Sequence, residues 1–281
     1  MSIWLRLTTL CLVLLSVSLT GSAPRLSLAG PASAYAGGQS ASLPALHPPS
    51  KRIAIVIDDF GNRMSGTEDI LALPIPLTVA VMPFLPSSKE DAEEAHRRGH
   101  EVIIHMPMEP NRGKKEWLGP GALTADMSDA EIRNRVEAAI EAIPHAVGMN
   151  NHMGSKITAD RRIMTVVLEV CREHGLYYLD SRTTHKSVIT EVADKVKVPV
   201  LINKLFLDDR YQASHIQRQL VLLARYLQES PEVIAIGHVG PSGKNVASLL
   251  RRWSPEQDAS TVFVTASHLI PSMARDQQIL P

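Results

Sequence analysis

The chain has 281 residues, with 29 basic and 29 acidic side chains and therefore no formal net charge. That balance gives no electrostatic footing for nucleic acid or an anionic membrane surface. Only one of its two cysteines, Cys171, lies beyond residue 50, so the body has no internal disulfide and depends on core packing, which 44% hydrophobic residues can supply.

The first segment differs from the rest. Arg6 precedes an apolar run from Leu7 to Leu19 broken only by Thr and Ser. That run is shorter than the roughly 20 residues a helix needs to cross a bilayer. A basic start, an apolar middle and a small-residue exit read as a secretory signal peptide over residues 1–36, cut after Ala36 in Ala34-Tyr35-Ala36. The small residues around Ala23 offer a second site, and an uncleaved anchor is the alternative. Cys11 lacks the small residues that precede a lipoprotein cysteine. Residues 37–50 are rich in Gly, Ser, Ala and Pro and read as a flexible linker. The remainder, 51–281, suits one α/β domain placed outside the cytoplasm, periplasmic or extracellular.

Along that body short β-branched runs alternate with amphipathic stretches. Strands are predicted at Arg52–Asp58, Leu77–Met82, Glu101–His105, Ala146–Met149, Leu176–Asp180, Val198–Ile202, Val233–Gly237 and Thr261–Thr265. Helices are predicted near Thr67–Leu73, after the Ser87/Glu90 pair, from the Ser128/Glu131 pair to Ile143, at Arg161–Glu173 and at Ser214–Gln228. Such alternation specifies parallel βαβ units with both sheet faces covered. About seven units favour an irregular or distorted (β/α) barrel over an open sheet. Asp58-Asp59-Phe60-Gly61 occupies the place where a Gly-rich phosphate loop would follow the first strand, which argues against a nucleotide cofactor.

In parallel α/β folds chemistry collects at the carboxyl ends of the strands. Asp58 and Asp59 end the first strand, His105 the third, Asp180 the fifth and His238 the seventh, while His152 follows the fourth. Adjacent aspartates can simply cap a turn, and a lone histidine is commonly a hydrogen-bonded structural residue. Two neighbouring anions at a rim repel, however, unless a cation or a shared proton relieves them. Histidine with carboxylate is a zinc-type ligand set. Glu109 reads as a ligand, a substrate contact or a turn into Pro110. Aromatic residues make up only 4% of the chain, and Trp117, in the long loop after His105, is a sugar platform or a hydrophobic plug.

Ile57-Asp58-Asp59-Phe60-Gly61, Gly99-His100-Glu101-Val102, His105-Met106-Pro107-Met108-Glu109 and Asn151-His152-Met153-Gly154-Ser155 resemble the divergent polysaccharide deacetylases. Leu179-Asp180-Ser181 and Ile236-Gly237-His238 extend the resemblance, which runs from Arg52 to about Ser267. It implies a distorted (β/α) barrel that hydrolyses acetyl groups on an acetylated glycan with a divalent metal, zinc first among them. The resemblance implies Asp58 as catalytic base, His238 as general acid, and Asp59, His105 and His152 as metal ligands. The second histidine of the superfamily's paired-histidine motif is missing, and Glu109 stands near its place. Asp180 is expected to orient one of the histidines. A hydrolase of another bond and a non-catalytic module that binds glycan or protein are the alternatives.

Overall fold

The computed structural model describes residues 51–254, 257 and 260–270; the signal-peptide and linker readings lie outside the described residues. No helix among the described residues is long and apolar enough to cross a membrane. The chain alternates β1 (Lys51–Phe60), α1 (Thr67–Leu71), β2 (Thr78–Val81), α2 (Ser88–Arg97) and β3 (Glu101–Met108). It continues with α3 (Asp129–Ala142), β4 (Ala146–Met153), α4 (Arg161–Glu173), β5 (Tyr177–Asp180), α5 (Ile189–Val196) and β6 (Val200–Ile202). The last elements are β7 (Leu205–Phe206), α6 (Ala213–Glu229), β8 (Glu232–His238), α7 (Gly243–Trp253) and β9 (Thr261–Val264).

Every strand pairing is parallel, in the order β6-β5-β4-β3-β2-β1-β8-β7. β8 runs along one edge of β1, and the other edge is divided between β9 at Lys51–Ala54 and β2 at Val56–Phe60. β6 pairs with β5 and β7 with β8. Between them the Asn203 N–H donates to the Asp180 carbonyl at 3.0 Å and the Lys204 N–H to the Ile234 carbonyl at 3.0 Å. One short stretch of chain thus bridges both ends of the curved sheet, which makes the barrel irregular, as the sequence predicts.

Two cores follow from the period of two along each strand. Ile53, Ile55 and Ile57 pack toward the helices, in the same cluster as Ile104, Met106, Met149 and Tyr178. Ala54 and Val56 point the other way, into a second cluster with Ile103, Leu179, Ile234 and Ile236 that fills the barrel interior. Side chains in step with this inner set emerge at the carboxyl rim on the inside of the barrel. This parity decides which rim residues can meet.

The Ser128–Glu131 capping box forms as expected, with the Glu131 carboxylate accepting from the Ser128 N–H at 2.8 Å and the Ser128 hydroxyl from the Glu131 N–H at 3.3 Å. The Ser87–Glu90 box does not. Ser87 donates to Asp91 at 3.0 Å, Asp91 also accepts from the Gly61 N–H at 2.8 Å, and Glu90 pairs with Arg63. A tertiary tie between the turn after β1 and α2 takes the groups a local cap would use. α5, β7 and α7 are further elements that periodicity did not single out.

Candidate metal centre and flanking acid–base pair

Asp58 lies in register with His238 across β1 and β8, and His105 with Asn150 across β3 and β4. Asp58 is in step with Ala54 and Val56, His105 with Ile103, and His238 with Ile234 and Ile236, so all three belong to the inner face. Asp59 should then point outward. It does not, because its backbone is left-handed at φ 69° and the β1–β2 register shifts between Ile57 and Phe60. A non-glycine residue held there carries about 1 kcal/mol of strain or more, and such strain collects at functional sites. The kink lets consecutive aspartates face one space.

In that space Asp59 Oδ1 lies 3.2 Å from His105 Nε2 and 3.0 Å from His152 Nδ1, and the two ring nitrogens are 3.1 Å apart. The outer nitrogens decide where the ring protons reside. Asn150 donates through Nδ2 to Asp58 Oδ1 at 2.9 Å, which turns its own Oδ1 toward His105 Nδ1 at 2.7 Å. His105 therefore donates from Nδ1. His152 donates from Nε2 to the Trp117 carbonyl at 2.9 Å. Both inward nitrogens are left with lone pairs facing a carboxylate oxygen, and Asp59 Oδ1 is buried without a hydrogen-bond partner. Three converging lone pairs repel unless a cation sits among them.

Electrostatics agree. Burial of His105 disfavours its charged form, but Asp58 and Asp59 outweigh that and raise its pKa above the ordinary imidazole value. Burial would likewise raise Asp59, yet the two histidines hold its carboxyl well below the usual carboxylate range. The site draws positive charge, and a proton on His105 competes with a metal for it. One oxygen and two imidazole nitrogens suit zinc or a similar divalent ion and leave a position open. Asp59, His105 and His152 are the group with such geometry among the described residues.

Asp58 is fully buried beside this set, and burial raises its pKa despite the nearby His105 and His238. Across the rim, His238 Nδ1 is 2.8 Å from Asp208 Oδ1. Asp208 Oδ2 also accepts from the His238 N–H at 3.0 Å and the Ser242 hydroxyl at 2.5 Å. Burial lowers the pKa of His238, but the Asp208 carboxylate more than offsets this and brings it up to about 9. His238 is thus an imidazolium at neutral pH, with Nε2–H left to donate.

The profile of the divergent polysaccharide deacetylase family matches residues 55–270. The chain belongs to that family. An uncharacterised protein of Escherichia coli K12, YibQ, is 39% identical over 191 residues, which are 68% of this chain and 59% of that one. The chain therefore matches less than two thirds of that relative's length. Among solved structures, an uncharacterised protein of Agrobacterium tumefaciens C58 has a TM-score of 0.71 at 22% identity, covering 78% of this chain and 89% of that one. A peptidoglycan N-acetylglucosamine deacetylase has a TM-score of 0.50 at 14% identity, covering 79% and 90%. At these identities the structures share the fold.

Other rim residues of this family member are placed differently from expectation. Asp180 falls in step with Tyr178, on the helix side of the sheet. Its oxygens accept from the Arg182 N–H and the Ser187 hydroxyl, both at 2.7 Å, so it braces its own loop and orients no histidine. Glu109 accepts from the Ala125 N–H at 2.8 Å and pairs with Lys156 at 2.7 Å, which fixes the loop after β3 rather than the metal set. Trp117 is 59% exposed and so does not plug that loop; the residue meets the cluster through its carbonyl.

Asn150 and Asp208 escaped the sequence reading. Asn150 was legible by parity, two residues before His152 on the same face of β4. Asp208 follows a strand of two residues, too short to announce itself, although Leu205-Phe206-Leu207-Asp208-Asp209 repeats the apolar-then-aspartate pattern of β1.

Proposed function

We propose that this chain is an exported, metal-dependent hydrolase that removes acetyl groups from a cell-envelope glycan. One observation carries the reading. The lone pairs of His105 and His152 converge on the orphaned Asp59 Oδ1, with the buried Asp58 carboxyl on one side and His238, paired to Asp208, on the other. The apolar amino-terminal run supports export, and the family's description supports an acetylated sugar as substrate.

A divalent ion, most simply zinc, held by Asp59, His105 and His152 supplies Lewis-acid polarisation of the acetyl carbonyl and a lowered pKa for nearby water. The chain supplies the proton transfers. Asp58, held by Asn150, takes a proton from water as its oxygen adds to the carbonyl carbon. His238, charged and oriented by Asp208, gives its Nε2 proton to the nitrogen or oxygen that leaves as the acetyl bond breaks. Asp58 then returns its proton to solvent and His238 regains one, so both groups end as they began. Asn150 joins the two halves of the site, holding the base and setting the His105 tautomer at once.

Acetate release from N-acetylglucosamine oligomers and O-acetylated glycans by the zinc-loaded chain tests this. Release that stops with a chelator and returns with zinc is the expected result. A chain that holds its ion yet frees no acetate from any of them would make the fold a binding module.

A further inference from the structure

Asp59 reaches the metal cluster through a sharp turn at the end of β1. Within five residues Asp59, Gly61 and Arg63 take positive φ, at 69°, 119° and 44°. Asp59 and Arg63 are not glycines, so their surroundings must hold them in that backbone. A Cβ at Gly61 would stand 2.9 Å from the Met82 carbonyl oxygen and 3.0 Å from Ser88 Oγ, so only glycine fits there. On the strand side, neighbouring strand ends fix the turn. The Asp58 carbonyl accepts from the Val239 N–H at 3.2 Å, and the Phe60 carbonyl from the Met82 N–H at 2.9 Å.

Past Phe60 the strand stops, and the first turn of α2 does the holding. Gly61 is gripped on both sides of its backbone. Its N–H donates to Asp91 Oδ2 at 2.8 Å, and its carbonyl accepts from the Ser87 N–H at 2.8 Å. The Arg63 N–H donates to Ser87 Oγ at 3.1 Å, and that hydroxyl donates to the same Asp91 oxygen at 3.0 Å. Asp91 is 5% exposed, and burial lifts its pKa above the ordinary aspartate value. Arg63, whose charge would favour the ionised acid, pairs with Glu90 instead. A polar group buried in this way must be matched by what it bonds, and what Asp91 bonds is the turn.

Resting on the metal-dependent reading of the cluster, we propose that Asp91 is a positioning residue for Asp59, acting through Gly61. With Ser87 it maintains the left-handed backbone that sets Asp59 Oδ1 3.2 Å from His105 Nε2. The side-chain hydrogen bonds of Asp91 and Ser87 run to the turn and to each other, and none runs to the metal set.

The test is zinc affinity of the full chain, measured by competition with a chromophoric chelator, with acetate release from N-acetylglucosamine oligomers beside it. Asp91→Ala removes the acceptor of the Gly61 N–H. It should weaken zinc about 10- to 100-fold, the range for a residue that orients a ligand. Asp91→Asn can set an amide oxygen where Oδ2 stood and accept from both the Gly61 N–H and the Ser87 hydroxyl. It should hold zinc within about threefold of the wild type. Ser128→Ala breaks the capping box of α3, so it should lower the unfolding midpoint and leave zinc affinity alone. If Asp91→Ala does not fold, Ser87→Ala carries the test and should weaken zinc by a smaller factor. Zinc held as tightly by the folded Ala variant as by the wild type, or loosened no more than by Ser128→Ala, overturns the positioning role. Loss of zinc in Asp91→Asn equal to that in Asp91→Ala overturns it too. A wild type that binds no zinc removes the metal reading and this role with it. Zinc affinity that depends on Asp91 without acetate release would leave the role standing and remove the deacetylase reading.

Discussion

Asp58→Asn is expected to lower kcat/KM for acetate release by about 10³-fold, within the range for removal of a positioned general base. Metal content should stay at the wild-type level, because the atoms positioned to hold an ion belong to Asp59, His105 and His152. An asparagine there is isosteric and still accepts from Asn150 Nδ2, so the rim keeps its shape. Stability should move the other way from activity. Burial raises the folded pKa of Asp58 above 3.8, so the folded state holds its proton more tightly than the unfolded chain does. Stability therefore falls as pH rises from 3.8 through the folded value, and at neutral pH the buried acid is a net cost to the fold. The amide removes that cost, and the unfolding midpoint of the zinc-free variant at pH 7 should equal or exceed that of the zinc-free wild type. A large loss of activity with unchanged metal and undiminished stability separates a base from a structural residue. Loss of the ion in Asp58→Asn would show instead that Asp58 serves the metal.

Asp208→Asn should act through His238. With Asp208 in place the imidazole titrates at about 9, so the alkaline limb of kcat/KM lies near that pH, where the acid loses its proton. Without the carboxylate the limb should move toward the ordinary imidazole range. The variant then loses about tenfold at pH 8 and little at pH 6, judged from the protonated fraction. The same pairing stabilises the fold. The unfolded value is near 6.5, so the contribution is fully present below that pH and disappears as pH rises through about 9. The ring is 28% exposed, and after allowing for solvent the loss at pH 6 should be about 2 kcal/mol. Part of that is the asparagine's inability to accept from the His238 N–H, the His238 ring and Ser242 together. A denaturant midpoint against pH, run beside the rate profile, checks both. An alkaline limb that does not move would remove Asp208 from the role of orienting the acid.

Most of the barrel was legible in the sequence, because its strands are apolar runs of period two and its long helices carry one-sided apolar faces. α4 and α6 illustrate the helices. α5 was not legible, since Ile189, Val192 and Val196 are β-branched and no side chain caps its start, even though those residues form one buried face. α7 opens on Gly243 without a side-chain cap. For the site, the strand ends announced Asp58, His105, His152 and His238. What periodicity cannot express is the left-handed Asp59, which turns an outward residue inward, and parity corrects the opposite error at Asp180. The roles of Asn150 and Trp117 come from tertiary contacts between chain segments 92 and 35 residues apart, which local patterns do not encode.

The metal centre is the claim on which the rest depends. Its direct test is metal analysis of the purified chain after dialysis against zinc, beside His105→Ala/His152→Ala. The wild type should hold about one ion per chain, as a three-residue site with an open position does, and the double variant none. A wild type free of metal under those conditions, or a double variant that retains its ion, would contradict the account.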